Sequence, residues 1–440
     1  MIRAIKRFFL SRKTILALIL LILGAIVLAY IFPQRFSTSS LEMEKWQEAN
    51  PVWVPWVDLL GLDHVYSTTW FDVLLFIFLL SLIISTFEQI KISIKKTFGH
   101  GVTSGGKNFK VIALEEKIVS AIKKQGYFQI AGNHATLRFI KYPWGYWGSV
   151  LLHFGIVFAI ASSLVVALTQ KRGLLQLVEG ELYVPGTAWV TEERGLFTGR
   201  FILPEAVSLD NIIPEFWETD DLKNLTTTLS FSDPQGRFKR YTLAINQTIN
   251  YRGIRVYQSQ GFGDAFFVKL TDKEGRNTGL ILRIQNPAKR DVAGYANLKS
   301  YEIPYLIKTK YFADADRKSM LSTNPLLVIR LVDKGRVIGE VSLKNGESGQ
   351  LGPYTATVTG ISKWAGMIFV DITGMPGIFL GFFIIIIGGG LTYFMPPREF
   401  YIRKEDSGLF IITWKATRFE SFYEEEYEKV SSAFGGLKPQ

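Results

Sequence analysis

Four long apolar runs dominate the pattern of hydrophobic and polar positions along the chain. They cover residues 14–32, 71–87, 145–168 and 378–394. Because a helix that crosses a lipid bilayer needs roughly 20 predominantly apolar residues, each run predicts a membrane-spanning helix. A buried soluble helix is the alternative for the second run, which is short and contains Asp72. The absence of charged residues from Val73 to Phe87 favours a span.

A secretory signal peptide is an alternative interpretation of the first run. The run is long for the apolar core of such a peptide, and the stretch "LAYIFPQRF" offers no clean cleavage site between small residues. We therefore expect an uncleaved membrane anchor.

The segment between the third and fourth runs, residues 169–377, alternates apolar and polar positions with a period of two. Stretches such as "TTTLSFSDPQGRFKRYTLAI" and "AFFVKLTDKEGRNTGLILRI" predict strands. The turns between strands are predicted at Pro234-Gln235-Gly236, Lys273-Glu274-Gly275 and Lys334-Gly335. No long helical pattern interrupts the strands, so the sequence predicts one antiparallel, sandwich-like β domain.

Two shorter segments, residues 88–144 and 395–440, share a mixed pattern. The first contains the helical stretch "ALEEKIVSAIKKQG" and a hairpin signal around Gly132-Asn133. The second shows a hairpin turning at Ser407-Gly408, followed by the helical stretch "RFESFYEEEYEKV". Because each piece is too small to be stable alone, we expect both to join in one small α/β unit.

The distribution of charge orients the predicted spans. Residues 1–13 contain five basic residues, residues 33–69 contain two basic against five acidic residues, and residues 88–144 contain ten basic against three acidic residues. Basic loops stay in the cytoplasm. This rule predicts cytoplasmic segments at 1–13, 88–144 and 395–440, an external loop at 33–70 and an extracytoplasmic β domain at 169–377. The net charge of +11 therefore reflects topology and attraction to the lipid bilayer, and we expect no nucleic-acid partner.

The external loop contains an apolar stretch of its own, "NPVWVPWVDLLGL". Trp53, Trp56, Leu59 and Leu60 are typical of a segment that lies in the membrane interface. A loop that packs on the external domain explains the same residues equally well, so both interpretations stay open.

The third run carries His153, one of only four histidines in the chain. An ionisable side chain inside a membrane helix is a functional candidate, because it normally faces a bundle interior or a wet cavity. In a helix, Ser149, His153 and Val157 share one side. The roughly opposite side carries a ridge of small residues suited to close helix–helix contact: Gly155, Ala159 and Ser163.

An isolated imidazole at this position is best suited to be a ligand of haem iron. A proton relay needs acidic partners within the spans, and Asp72 is the single one available. Zinc needs three or four protein ligands. Haem iron needs one histidine and an apolar pocket. The structural alternative is a histidine bonded to a neighbouring hydroxyl or carbonyl.

The remaining histidines are weaker candidates. His64, just before the second span in "GLDHVYSTTWF", could contact a group held at the outer face, or it could be a solvated loop residue. His100 and His134 are interpreted as structural or solvated. The chain has no cysteine, so it cannot perform thiol–disulfide chemistry, and its external domain must fold without disulfides. Phosphate loops, nucleophile elbows and HExxH motifs are also missing, so the sequence offers no catalytic set.

Several segments together resemble the ResB family, also called CcsB, of the System II cytochrome c biogenesis pathway. The resemblance lies in "VYSTTWFDVLLFIFLLSLIISTFEQIK", "WGSVLLHFGIVFAIASSLV", "INQTINYRGIRVYQSQGFGDAFF" and "GMPGIFLGFFIIIIGGGLTYFMPPREFYIR". These pieces run in order from about residue 65 into the C-terminal tail, and their combination is specific. The histidine of the family's third span matches His153.

The resemblance implies a membrane subunit of the bacterial cytoplasmic (inner) membrane. Such a subunit works with a ResC or CcsA partner that carries a tryptophan-rich haem-handling motif. Together the two bring haem b across the membrane and attach it to apocytochrome c on the outer side. This chain lacks the tryptophan-rich motif, which implies an unfused, non-catalytic or co-catalytic subunit of a holocytochrome c synthase. A scaffold that stabilises the partner or positions apocytochrome without contacting haem is the alternative.

Overall fold

The computed structural model describes residues 2–38, 40–99, 105–133, 136–232, 235–405 and 408–435. In chain order the helices are α1 (Ile2–Phe9), α2 (Arg12–Ile31), α3 (Ser40–Ala49), α4 (Val54–Leu60), α5 (Thr69–Phe98), α6 (Glu115–Lys124), α7 (Gly145–Thr169), α8 (Met375–Phe394) and α9 (Glu424–Ser432). Within the described residues, the four helices long and apolar enough to cross a membrane are α2, α5, α7 and α8. Each coincides with one predicted run, so the existence of four candidate membrane helices is confirmed.

Helix α5 is longer than the apolar run that predicted it. The run covers residues 71–87, whereas the helix has 30 residues and ends at Phe98. Its extension is charged, and Glu88 forms ion pairs with Lys6 of α1 and with Lys91 one turn further along α5. Hydropathy marks only the part of a helix that tolerates lipid, so the polar continuation escaped the prediction.

The chain folds as two compact units. The first comprises Met1–Leu23, Asp72–Val165 and Gly374–Gln440, and the second comprises Gly24–Phe71 and Val166–Thr373. Besides helices, the described residues of the first unit form one antiparallel sheet in the order β1-β20-β19-β3-β2. Its strands are β1 (Lys107–Ile112), β2 (Phe128–Asn133), β3 (Thr136–Lys141), β19 (Arg398–Lys404) and β20 (Leu409–Ala416).

This sheet joins the two mixed segments that the sequence assigned to one α/β unit. Strand β20 pairs with β1, and β19 pairs with β3, so the two strands of the second segment lie between strands of the first. The sheet and helices α6 and α9 enclose a small core that includes Trp414, Phe139, Ile118 and Val430, each at most 1 % exposed. Neither segment could bury these side chains alone.

The described residues of the second unit form three antiparallel sheets. A seven-stranded sheet runs β10-β11-β18-β4-β6, with β12 added to β11 and β17 added to β18, and two four-stranded sheets run β13-β14-β15-β16 and β5-β7-β8-β9. The strands are β4 (Lys171–Val178), β5 (Leu182–Tyr183), β6 (Thr191–Arg194), β7 (Ala206–Phe216), β8 (Leu222–Ser232), β9 (Phe238–Leu243), β10 (Thr248–Tyr251), β11 (Ile254–Thr271), β12 (Asn277–Gln285), β13 (Gly294–Leu298), β14 (Leu306–Phe312), β15 (Leu326–Asp333), β16 (Arg336–Leu343), β17 (Ser348–Leu351) and β18 (Tyr354–Asp371).

Among the described residues, the β domain has two large hydrophobic cores and a small third cluster, where the sequence predicted a single sandwich. One core includes Val256 and Phe369, and the other includes Phe266 and Val358. The long strands β11 and β18 contribute side chains to both, so the seven-stranded sheet packs against each of the two smaller sheets. The pairing of β11 with β18 is irregular between Gln258 and Phe262, and again between Phe267 and Val268, where β18 contains one extra residue. The extra residue shifts the side-chain alternation of β18, which a search for a strict period of two does not detect.

Candidate functional site

His153 lies in the first half of α7, with its side chain partly buried. Its Nδ1 atom is 2.8 Å from the carbonyl oxygen of Ser149, one turn earlier in the same helix. Because a carbonyl only accepts hydrogen bonds, Nδ1 must carry the proton and donate it. In the neutral imidazole, the lone pair is then on Nε2. This is the arrangement that metal-ligating histidines commonly adopt, with one nitrogen anchored by a hydrogen bond and the other presented to the metal.

The side of α7 roughly opposite His153 packs against α8. A Cβ atom built on Gly155 would lie 2.8 Å from the carbonyl oxygen of Gly381, and one built on Gly381 would lie 2.7 Å from Ala159. Gly148 is in similarly close contact with α8. His153 follows Gly148 by five residues and so lies about 140° around the helix. Gly155 and Ala159 of the predicted ridge are therefore found in close contact with α8. His153 faces away from α8.

Helix α5 contacts the first turn of α7. The Ser93 hydroxyl donates a hydrogen bond of 2.8 Å to the carbonyl oxygen of Tyr146. Tyr146 precedes His153 by seven residues, so the two positions lie within about 20° of each other around the helix. The contacts of α7 with α8 therefore lie away from His153, whereas the contact with α5 is at the start of the helix.

The matching ridge on α8 was missed by the sequence analysis, although its glycines are visible in "GMPGIFLGFFIIIIGGGL". Gly377, Gly381 and Gly388 all face α7: a Cβ atom on Gly381 or Gly388 would meet backbone atoms of α7, whereas one on Gly377 would meet only side-chain atoms, chiefly of Ser162. A Cβ atom on Gly388 would lie only 2.4 Å from the backbone nitrogen of Leu152. By contrast, a Cβ atom on the next residue, Gly389, would have no described atom within 4 Å.

These neighbouring glycines provide a matched pair of variants. We expect Gly388→Leu to force α7 and α8 apart at a cost of about 1–3 kcal/mol, because overpacking a close contact strains both helices. Gly389→Leu should leave their packing unchanged. The cysteine-free chain allows a direct measurement, since Ser162→Cys with Gly377→Cys places two thiols across the same contact. Disulfide yield should fall with Gly388→Leu only, and equal yields in both variants would contradict the ridge.

His64 lies in the second unit, in a cluster of charged residues. Its Nδ1 atom is 2.5 Å from a carboxylate oxygen of Asp63, which also forms an ion pair with Arg35. Burial alone would raise the pKa of Asp63, but the hydrogen bonds from His64 and Arg35 outweigh it and lower the pKa. His64 is thus a partly buried residue with a structural partner, and its contact with a ligand stays a prediction.

Two further charged residues belong to the second unit and were not singled out from the sequence. The guanidinium of Arg172 lies 3.9 Å from the centre of the Phe36 ring, and its Nε atom has no hydrogen-bond partner among the described residues. Burial lowers the pKa of Arg172 and raises the pKa of Glu193. No local sequence signal marks these residues, because they are brought together only by the folding of distant segments.

A buried ionic network connects the helices of the first unit to its sheet. Arg138 on β3 donates hydrogen bonds to Glu399 on β19 at 2.7 Å and to the carbonyl oxygens of Lys96 and Gly99, at the end of α5, at 2.5 and 2.6 Å. The hydroxyl of Tyr146 at the start of α7 also donates to Glu399. Burial alone would lower the pKa of Arg138, but the bond to Glu399 outweighs it and raises the pKa.

His100 and His134 lie outside the described residues, and so does Ser407 of the predicted hairpin turn. The predicted turn at 234–236 is described only from Gln235 onwards.

The fold and the position of His153 define a class of membrane protein: four candidate membrane helices, one with a partly buried histidine, and a large all-β domain inserted between the last two. The model of the ResB-like family matches residues 12–363, so this chain belongs to that family. The resemblance noted in the sequence is thereby confirmed.

Relatives of known role support the same assignment. The chain is 22% identical over 426 residues to the cytochrome c biogenesis protein CcsB of Picosynechococcus sp., which covers 94% of this chain and 88% of the relative. It is 23% identical over 377 residues to CcsB of Microcystis aeruginosa, covering 84% and 80% of the two chains. It is also 22% identical over 390 residues to the cytochrome c biogenesis protein Ccs1 of Porphyra purpurea, covering 86% and 83%. These similarities support a role in cytochrome c maturation.

Proposed function

We propose that this chain is a membrane subunit of a System II cytochrome c maturation machinery. It helps to move haem b across the membrane and presents it for covalent attachment to apocytochrome c on the outer face. A ResC or CcsA-type membrane protein is its haem-handling partner. Family membership supports the pathway, and the distribution of basic residues supports an orientation in the bacterial inner membrane with the β domain outside.

The observation that carries the proposal is the tautomer of His153. The hydrogen bond to the Ser149 carbonyl holds the ring and leaves Nε2 as the nitrogen with a lone pair. A neutral imidazole anchored in this way is suited to ligate haem iron from within an apolar helix. Haem is cargo in this proposal, and the contribution of the chain is to hold its iron in a defined place within the membrane.

A scaffold role is the second candidate, and the same hydrogen bond favours it in part. A histidine that donates to the carbonyl one turn earlier has one of its two nitrogens satisfied without any ligand. In this role the chain stabilises its partner or positions apocytochrome, and His153 never contacts iron.

Removal of the imidazole distinguishes the two roles. We expect His153→Gly to abolish the haem absorption band of the purified membrane complex, and added imidazole to restore it, because free imidazole can occupy the space that the side chain leaves. Protein levels should stay normal. The measurement is the absorption spectrum of wild type and variant, with and without imidazole.

Phe154→Gly is the matched control. It introduces the same helix-weakening residue one position further along, at a side chain that is 47 % exposed. Its haem band should match that of wild type. An unchanged spectrum in His153→Gly would exclude iron ligation by this residue. Loss of both proteins from the membrane together would support the scaffold role.

A further inference from the structure

An apolar pocket lies in the second unit, beside the end of the candidate membrane helix α2. Its volume is about 580 Å³, and its walls include Phe32 at the end of α2, Trp46 of α3, and Trp53, Trp56 and Leu60 at α4. Among the described residues the only polar side chain in its lining is Asn50, which donates a 2.9 Å hydrogen bond to the carbonyl oxygen of Trp46. The pocket therefore offers a ligand apolar contacts and no charge.

The outer surface of α4 is apolar as well. Trp53, Trp56 and Leu60 follow helical spacing and lie on one side, and they are 53, 54 and 42 % exposed. The one buried residue of this helix, Val57, attaches α4 to the rest of the unit. The sequence left open whether these residues pack on the β domain or lie in the membrane interface. The lining of the pocket that they border contains no residue of the β domain, which favours the membrane interface.

Polar contacts connect the segments that form the walls of the pocket. The side-chain amide of Gln34 donates hydrogen bonds to the carbonyl oxygens of Leu62 and Phe32, at 2.9 and 3.0 Å. The ion pair between Arg35 and Asp63 joins the same two segments. Edge contacts between the ring of Phe32 and that of Trp46, at 5.9 Å between centroids, fix the base of the pocket. A preformed cavity of this kind binds a ligand without first paying the entropy of ordering its walls.

The position of the pocket indicates its occupant. Its wall continues the exposed apolar surface of α2, where Val27, Ile31 and Tyr30 are 47, 63 and 91 % exposed, into α4 without a polar break. The apolar surface of a membrane-spanning helix is in contact with lipid. Tryptophan is enriched at the level where a span leaves the bilayer, since its ring is apolar and its N–H is polar. A surface that continues the lipid-facing surface at that level is in contact with the same lipid.

We propose that α4 lies in the membrane interface at the end of α2 and that its pocket binds an acyl chain of a phospholipid. The ligand is recognised by its hydrocarbon chain. Because no charged side chain is found in the described lining, zwitterionic and anionic phospholipids should bind equally. Binding of a phospholipid here does not depend on the proposed handling of haem, since the pocket contains neither His153 nor any other ligand for iron.

Quenching of tryptophan fluorescence by lipids with brominated acyl chains tests this proposal in the full-length protein. The contribution of one residue is the difference between the spectra of wild type and a Trp→Phe variant. Trp217 is the matched control, since its side chain is 56 % exposed, nearly the same as that of Trp56, and it lies in the β domain far along the chain from α2. Both substitutions keep an aromatic ring, so the fold should be unaffected.

The contribution of Trp56 should lose most of its intensity in nanodiscs of brominated phosphatidylcholine and equally in nanodiscs of brominated phosphatidylglycerol. The contribution of Trp217 should be unchanged. Equal intensities for Trp56 in brominated and ordinary lipid would overturn the proposal, because α4 would then face water or protein. Quenching that disappears when the ratio of protein to lipid is raised would overturn it in favour of a second copy of this chain as the occupant.

A spin label provides an independent measurement, because the chain has no native cysteine. A nitroxide at Leu59→Cys, on the apolar side of α4, should be more accessible to oxygen than to a water-soluble nickel chelate. The same label at Asp58→Cys, on the exposed polar side, should show the reverse. If both labels prefer the nickel chelate, α4 does not lie in the membrane interface.

Discussion

Replacing Arg138 with methionine is expected to lower the free energy of unfolding of the sheet in the first unit by about 3–5 kcal/mol. Arg138 and Glu399 are 4 and 5 % exposed, so the substitution leaves a carboxylate buried without its cation. It also removes the donors for the carbonyl oxygens of Lys96, in the last turn of α5, and of Gly99, which follows the helix. The carbonyl end of a helix carries partial negative charge, which a buried guanidinium stabilises.

Hydrogen exchange of the amides in β3 and β19 is the appropriate measurement, because it reports the stability of this sheet separately from that of the β domain. Each 1.4 kcal/mol corresponds to about a tenfold change in an equilibrium constant. The most protected amides should therefore exchange by at least about two orders of magnitude faster in the variant.

Arg330→Met is the matched control, because it breaks an ion pair with Glu340 in which both side chains are more than 40 % exposed. Exposed ion pairs contribute about 1 kcal/mol or less to stability, so Arg330→Met should lower the free energy of unfolding only slightly. Adding Glu399→Gln to Arg138→Met should restore part of the stability, because the uncompensated charge is removed. Equal effects of Arg138→Met and Arg330→Met would show that the network does not hold α5 to the sheet.

The elements of this fold that the sequence predicted are those with a local signal. Four apolar runs predicted four helices, because the need to exclude polar groups from lipid applies to every residue of a span. The mixed α/β unit was predictable because neither of its segments could form a core alone. By contrast, the two large cores of the β domain share β11 and β18, and one extra residue in β18 beside Val358 shifts its side-chain alternation between them, which no local pattern reveals.

The candidate site follows the same division. His153 stands out because an imidazole is rare in a membrane helix, and the ridge at Gly155 and Ala159 follows from helical spacing. The partners of the buried charges had no such signal. Arg138 and Glu399 are separated by 261 residues, and Arg35 and Asp63 by 28. In both cases the pairing exists only because folding brings distant segments together, so a single sequence does not reveal it.

Replacing Asp264 with asparagine is expected to stabilise the β domain at neutral pH. Asp264 on β11 is 2 % exposed, and its Oδ2 atom has no hydrogen-bond partner among the described residues. Burial raises the pKa of its carboxyl from 3.8 to about 6, and the neighbouring hydroxyls of Ser322 and Tyr311 oppose this rise only in part. The difference corresponds to about 3 kcal/mol of stability lost when the carboxyl ionises, which the neutral amide avoids.

The sign of the pH dependence follows from linkage. Between pH 3.8 and about 6 the folded protein holds a proton on Asp264 that the unfolded chain has released, so stability falls as the pH rises through this window. Asp264→Asn should remove that fall. The gain in stability of Asp264→Asn over wild type should be largest above pH 6 and should vanish as the pH approaches 3.8. Thermal unfolding in detergent at a series of pH values measures it.

Asp272→Asn provides the comparison in the same domain, on the exposed turn between β11 and β12. Burial alone would raise the pKa of the Asp272 carboxyl, but its hydrogen bonds with Arg276 outweigh this effect and lower the pKa. The pH dependence between 3.8 and 6 should therefore match that of wild type, because Asp272 stays ionised in both states through most of this window. A loss of stability in Asp264→Asn at pH 7 would mean that Ser322 and Tyr311 hold an ionised carboxylate. In that case Asp264 would stabilise the junction between the two cores, near the irregular segment of β11.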